Sequence, residues 1–240
     1  MSVDATGTPS ADHSALAADQ RPSLWMLLSS LVILQFGYPV TQYGTVWTVV
    51  YLLAYGGVIA FGVRTVRPDP RRNWPIGAAA LVLLVGGSWF AFQQDSEVAT
   101  IAMLLGVGLL QLALLVTLVG RLIHPPRDAH TVDLLLVAVS AYLLMGGVFA
   151  VVASLIEMAN PGSFVDNAAG AGPVTWQTLF YGSYVSLATL GFGDVVPVTP
   201  WPRALWSFEG VVGTLFLAIV IARLVGVAGF ATRDQQGASR

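Results

Sequence analysis

The chain has 240 residues, of which 55% are hydrophobic and only 10% charged, and its formal net charge is -2. A soluble domain carries charge on about a quarter of its residues, so most of this chain is expected to lie in lipid. The small net charge and the dispersed arginines, with no lysine among them, argue against a polyanion-binding face and hence against a nucleic-acid partner. Cysteine is absent, which excludes disulfides, thiolate metal sites and cysteine nucleophiles. His13, His124 and His130 lie in a tail or a connecting loop and do not suggest a metal cluster.

Residues 1–22 are rich in Ala, Ser, Thr and Asp and lack the basic start and small-residue cleavage pattern of a secretory signal. They are expected to form a disordered tail. Six apolar stretches then reach the length needed to cross a bilayer as a helix, at about residues 24–40, 43–63, 74–92, 98–123, 132–158 and 202–230. Only a short turn near Thr41 and Gln42 separates the first two, which predicts a helical hairpin. Short basic loops stay cytoplasmic. The loop after the second stretch holds Arg64, Arg67, Arg71 and Arg72, and the loop after the fourth holds Arg121 and Arg127. The end of the last stretch and its tail carry Arg223, Arg233 and Arg240, whereas the alternate loop at 93–97 carries only acids. Both termini are therefore expected in the cytoplasm and residues 160–201 outside, with Arg203 as the one basic residue near that face.

That external segment departs from an ordinary loop. Residues 160–173 are rich in Gly, Ala, Pro and Asn and read as a flexible turret, after which Thr175 is placed to cap a short helix over 176–188. The helix is apolar and aromatic but too short to span, and a glycine-rich return follows it. Such a re-entrant loop is tolerated only where protein or water surrounds it.

Thr189-Leu190-Gly191-Phe192-Gly193-Asp194 follows that helix directly. This run resembles the selectivity filter of the potassium channel family, whose pattern is Thr-Val-Gly-Tyr-Gly followed by Asp. The likeness extends over about the last 110 residues, from Val132 onward, to the pore module of small prokaryotic potassium channels: pore helix, filter, Pro-rich outer turn and inner helix. It implies an all-α membrane protein of six transmembrane helices plus a re-entrant pore helix and filter, assembling as a homotetramer in the plasma membrane with lipid and potassium ions as its partners. Residues 23–124 would then form a four-helix region, 131–230 the pore domain and 231–240 a short cytoplasmic tail. No cofactor is expected beyond permeant potassium, held by Thr189, Leu190, Gly191 and Phe192.

The physics of the motif supports the resemblance. A potassium ion leaves water only if oxygens replace its hydration shell, which four strands achieve when successive carbonyls all point inward. Gly191 and Gly193 supply the positive φ angles this requires, Leu190 and Phe192 are expected to point outward and wedge the strand against the pore helix, and Thr189 adds a hydroxyl. Phe192 stands where the family has Tyr and Leu190 where it has Val. Ala188 replaces the usual Thr or Ser, and Val185 lies where some members place a glutamate.

Further residues are read around this motif. Asp194 is expected at the outer mouth, concentrating cations or capping the local turn. Tyr181, Tyr184 and Ser186 lie on the pore helix as support, the tyrosines either as an aromatic cuff or as core packing. Gly213 interrupts the inner helix as a gating hinge or a close-packing glycine, with Thr214, Leu217 and Ile221 facing a water-filled cavity. Glu209 is an ionisable group within the membrane, with a functional role or a buried hydrogen-bonded one behind the filter. The fourth stretch has no arginine before Arg121, so a charge-driven voltage sensor is not expected. The reading is a passive potassium-selective channel. Its rivals are a weakly selective cation channel and a non-conducting scaffold or transporter subunit with a relic filter; an enzyme is not expected, because the spans lack a Ser/His/Asp group, a metal cluster or a nucleotide loop.

Overall fold

A computed structural model describes residues 20–65, 70–125, 130–168, 170 and 172–237. Most of the expected tail over 1–22, with His13, and the loop residues Arg67, Arg127 and Arg240 lie outside them, as do the side chains of Arg64, Arg71, Arg72 and Arg233. The elements in chain order are helices α1 (Gln20–Gly37), α2 (Thr45–Thr65), α3 (Pro70–Phe92), α4 (Glu97–Ile123) and α5 (Thr131–Ala159), strand β1 (Phe164–Asp166), helix α6 (Trp176–Leu187), strand β2 (Val195–Pro197) and helix α7 (Pro200–Gly237). Six of these helices, all but α6, are long and apolar enough to cross a membrane. The protein is thus an all-α membrane protein with one short interposed helix.

The helices meet where side chains are smallest. A Cβ on Gly86 of α3 would lie 2.7 Å from the backbone of Ala102 in α4, and one on Gly106 of α4 would lie 2.5 Å from the Cα of Leu83. Lipid is as apolar as leucine, so helices in a bilayer gain little from burying apolar surface and associate instead through close backbone approach. Ser96 caps α4 by accepting a hydrogen bond from the Ala99 amide at 3.3 Å. A core of leucines, among them Leu27, Leu83, Leu110, Leu114, Leu118 and Leu144, joins the four N-terminal helices to α5.

Three features differ from the sequence reading. The first helix stops at Gly37, short of residue 40, and a 3-10 turn over Tyr38–Tyr43 makes the corner of the hairpin. Pro39 explains the stop, because it brings no amide hydrogen and its ring opposes the preceding helical turn. The turret is partly ordered, because β1 pairs antiparallel with β2 in the register Phe164↔Pro197, Val165↔Val196 and Asp166↔Val195. The last helix passes residue 230 and ends at Gly237, since nothing in Ala-Thr-Arg-Asp-Gln-Gln forbids helix before that glycine.

Replacing Gly106 by alanine is expected to destabilise the protein by about 1–3 kcal/mol through overpacking against the α3 backbone, whereas Gly77→Ala, where a Cβ meets nothing within 4 Å, leaves it unchanged. Thermal unfolding of the two variants in detergent checks the contrast.

Candidate ion pathway

The short helix α6 begins at a cap formed by Thr175, whose hydroxyl accepts a hydrogen bond from the Thr178 amide at 3.4 Å. It ends at Leu187 with Ala188 as its C-cap, and the next residues turn back on its last carbonyls: the Thr189 amide donates to Ser186 O and the Leu190 amide to Val185 O, both at 2.9 Å. These two bonds hang the following strand from the helix end.

Along that strand φ is +55° at Thr189, +59° at Gly191 and +76° at Gly193, while Leu190 and Phe192 between them keep negative φ. Alternation in the sign of φ is what lets successive peptide carbonyls face one side of a strand instead of opposite sides. The glycines adopt these angles freely. Thr189 does not: the left-handed region costs an ordinary residue about 1–2 kcal/mol, and a β-branched side chain there is an outlier. Strain at Thr189 was not anticipated from its sequence, although its place two residues before Gly191 in the alternating pattern carries the signal.

The strand is fixed from several directions. At its outer end the Tyr181 hydroxyl donates to Asp194 Oδ2 at 2.7 Å, and the Val195 amide donates to Asp194 Oδ1 at 2.9 Å. The Asn167 side chain donates to Gly193 O at 3.3 Å and its amide to Asp194 O at 2.7 Å. The hydrogen bond from Tyr181 is the main reason that the Asp194 carboxyl sits below the usual carboxylate range. On the flank of α6, Ser186 donates to Trp206 O at 2.8 Å, Tyr184 to Leu143 O at 2.6 Å, and Tyr142 to Leu187 O at 3.2 Å. Tyr184 therefore ties α6 to α5.

Leu190 and Phe192 are 57% and 63% exposed. The wedge expected of them is thus not supplied by α6 of the same chain. Thr189 and Gly191 share an open groove of about 550 Å³ with Gly210 and Thr214 of α7. Leu217 and Ile221 continue the helix face of Thr214 and are exposed. Gly213 faces the other way, where a Cβ would run into the carbonyl oxygen of Leu187; α7 passes through this position without a break. Close approach to the end of α6 accounts for that glycine. Glu209, one turn earlier, is fully buried and hydrogen-bonded to Ser183 of α6.

Tyr142, Ser183 and Trp206 were not singled out from the sequence. Their partners lie 20–45 residues away along the chain, and a lone tyrosine, serine or tryptophan in an apolar stretch gives no sign of such a partner.

A carboxyl group with a depressed pKa in the folded protein contributes stability above its unfolded pKa, about 3.9 for Asp, and that contribution is lost as pH falls through the lower folded value. Removing the phenol donor in Tyr181→Phe is expected to move the titration midpoint of Asp194 upward, read by carbon NMR of labelled aspartate carboxyls. A midpoint that stays in place would contradict control by Tyr181.

No curated protein and no solved structure matches the chain. Residues 137–228, which contain α6, the strand and most of α5 and α7, match the family described as Ion channel. With its short helix and the strand hung from it, this part of the chain is similar to the ion channel family, and the four N-terminal helices lie outside the match.

Proposed function

We propose that the protein is one subunit of a passive, potassium-selective homotetrameric channel, with Thr189, Leu190, Gly191, Phe192 and Gly193 as its filter. The observation that carries this reading is the alternation of φ along 189–193 in a strand suspended from a helix too short to span. One such strand presents oxygens from one side only, whereas a dehydrated cation needs them all round. Four copies about an axis supply that shell, and cyclic symmetry is the economical way to place them. The exposure of Leu190 and Phe192 in a single chain fits burial of both against neighbouring copies.

In this arrangement Thr214, Leu217 and Ile221 line the water-filled cavity below the filter. Four Asp194 carboxylates would ring the outer mouth and raise the local cation concentration. Tyr181 favours their charged form, so the ring keeps its charge at physiological pH. The basic residues near the ends of α2, α4 and α7 support a cytoplasmic position for those ends and for both termini, in a channel held by the plasma membrane. The fourth helix carries no arginine before Arg121, and gating by a charged voltage sensor is not part of the proposal.

Purified protein in liposomes is expected to carry potassium flux that barium blocks, with a reversal potential in mixed potassium and sodium that follows potassium. Equal permeation of sodium would replace this reading with that of a weakly selective channel, and absence of flux would leave a non-conducting scaffold. Gly191→Ala places a side chain at φ +59° in every copy, at a cost of about 1–2 kcal/mol each. It should abolish selective flux while the tetramer persists in solution. Selective flux surviving in that variant would contradict the filter assignment.

A further inference from the structure

Behind the strand, Ser183 of α6 lies between two oxygen atoms. Its hydroxyl is 2.9 Å from the backbone carbonyl of Gly146 in α5 and in very close contact with Glu209 Oε1 of α7. A serine hydroxyl has one proton to donate, a carbonyl has none, and an ionised carboxylate has none. With Glu209 charged, Ser183 could satisfy only one of the two neighbours, and the other contact would press oxygen against oxygen. If Glu209 carries a proton, both contacts become hydrogen bonds: Glu209 donates to Ser183, and Ser183 donates to Gly146.

The surroundings agree. Glu209 has no exposed surface and its Oε2 has no hydrogen-bond partner. Among the described residues no basic side chain hydrogen-bonds to it. Arg203, on the same helix, donates to Pro197 O, and Arg223 donates to Ile123 O far along α7. The titratable groups that face it are Tyr142 from α5 and Tyr184 from α6. Both spend their hydroxyl protons on the backbone carbonyls of Leu187 and Leu143. An unpaired buried carboxylate costs several kcal/mol, and such a group neutralises instead.

We propose that Glu209 is a neutral acid that positions the pore helix, its proton starting a hydrogen-bond chain from α7 through Ser183 of α6 to the Gly146 carbonyl of α5. All three helices of the pore segment meet in this chain, six residues before Thr189. Deprotonation of Glu209 turns the Ser183 proton toward the carboxylate, releases Gly146 and leaves a charge between apolar helices, so the support behind the strand loosens.

The test is infrared spectroscopy of the full-length protein in lipid, joined to potassium flux across pH. The carbonyl stretch of a protonated carboxyl is expected at neutral pH and should be lost in Glu209→Gln. Flux should fall on the alkaline side in the wild type, in step with loss of the band, and Glu209→Gln should lack that fall because its amide cannot ionise. Absence of the band in the wild type, or a band unchanged in Glu209→Gln, overturns the protonated assignment. Identical pH profiles in the two proteins overturn the positioning role. Should Glu209→Gln fail to assemble, the wild-type band still decides, since it must be present at neutral pH and disappear with the flux. The flux arm rests on the proposed channel function, whereas the infrared arm holds whether or not the protein conducts.

Discussion

A strand with three left-handed residues in five, Thr189, Gly191 and Gly193, cannot belong to any regular helix or sheet. Its backbone has no ladder to hold it, and in a membrane no bulk water stands behind it. Everything around residues 189–193 follows from that constraint. The two amides nearest the helix end are spent on Ser186 and Val185, the outer end is held by Tyr181 and Asn167, and the carbonyls between remain available. Strain at Thr189 is sustained only because those flanking contacts over-determine the conformation.

The short helix α6 that carries the strand is fixed in turn by hydroxyl groups that bond it to α5 and α7. Tyr142, Tyr184, Ser183 and Ser186 each bond a carbonyl or carboxyl on a different element. Glycines set the spacing. Gly146, Gly182 and Gly213 bring the backbones so near that a Cβ would collide with Tyr184, Trp206 and Leu187 respectively. In hydrocarbon such contacts replace the hydrophobic driving force that water would provide.

The four N-terminal helices touch this assembly at defined points. The 3-10 corner places Tyr38 against Phe180 with ring centroids 4.9 Å apart, and the Gln177 side chain donates to Thr41 at 3.2 Å. Gln111 of α4 fills the notch left by Gly147 and donates to Tyr55 at 3.2 Å. At the other end of the molecule Arg223 donates to the Ile123 carbonyl, the free end of α4, at 3.0 Å. These helices therefore brace both ends of the α5–α7 segment of their own chain. How much of this could be read beforehand depended on range. The six spans and the short helix were legible, because apolar length and the Thr175 cap are local properties. The motif at 189–194 was legible through its glycine spacing. The Pro39 corner lay within an apolar run that masked it, and the β1–β2 ribbon joins residues about 30 apart through strands of only three. The wedge expected of Leu190 and Phe192 is not formed within one chain, where both side chains are exposed; in the proposed assembly neighbouring copies would cover them.

Diffraction from crystals grown with thallium, a heavy cation close to potassium in size, bears most directly on whether this strand strips and holds a monovalent ion. The account predicts a row of cation density along a fourfold axis, flanked at each level by the main-chain oxygens of residues 189–193 from four copies. Density absent from that axis, or carbonyls of these residues directed away from any axis the copies share, would contradict it.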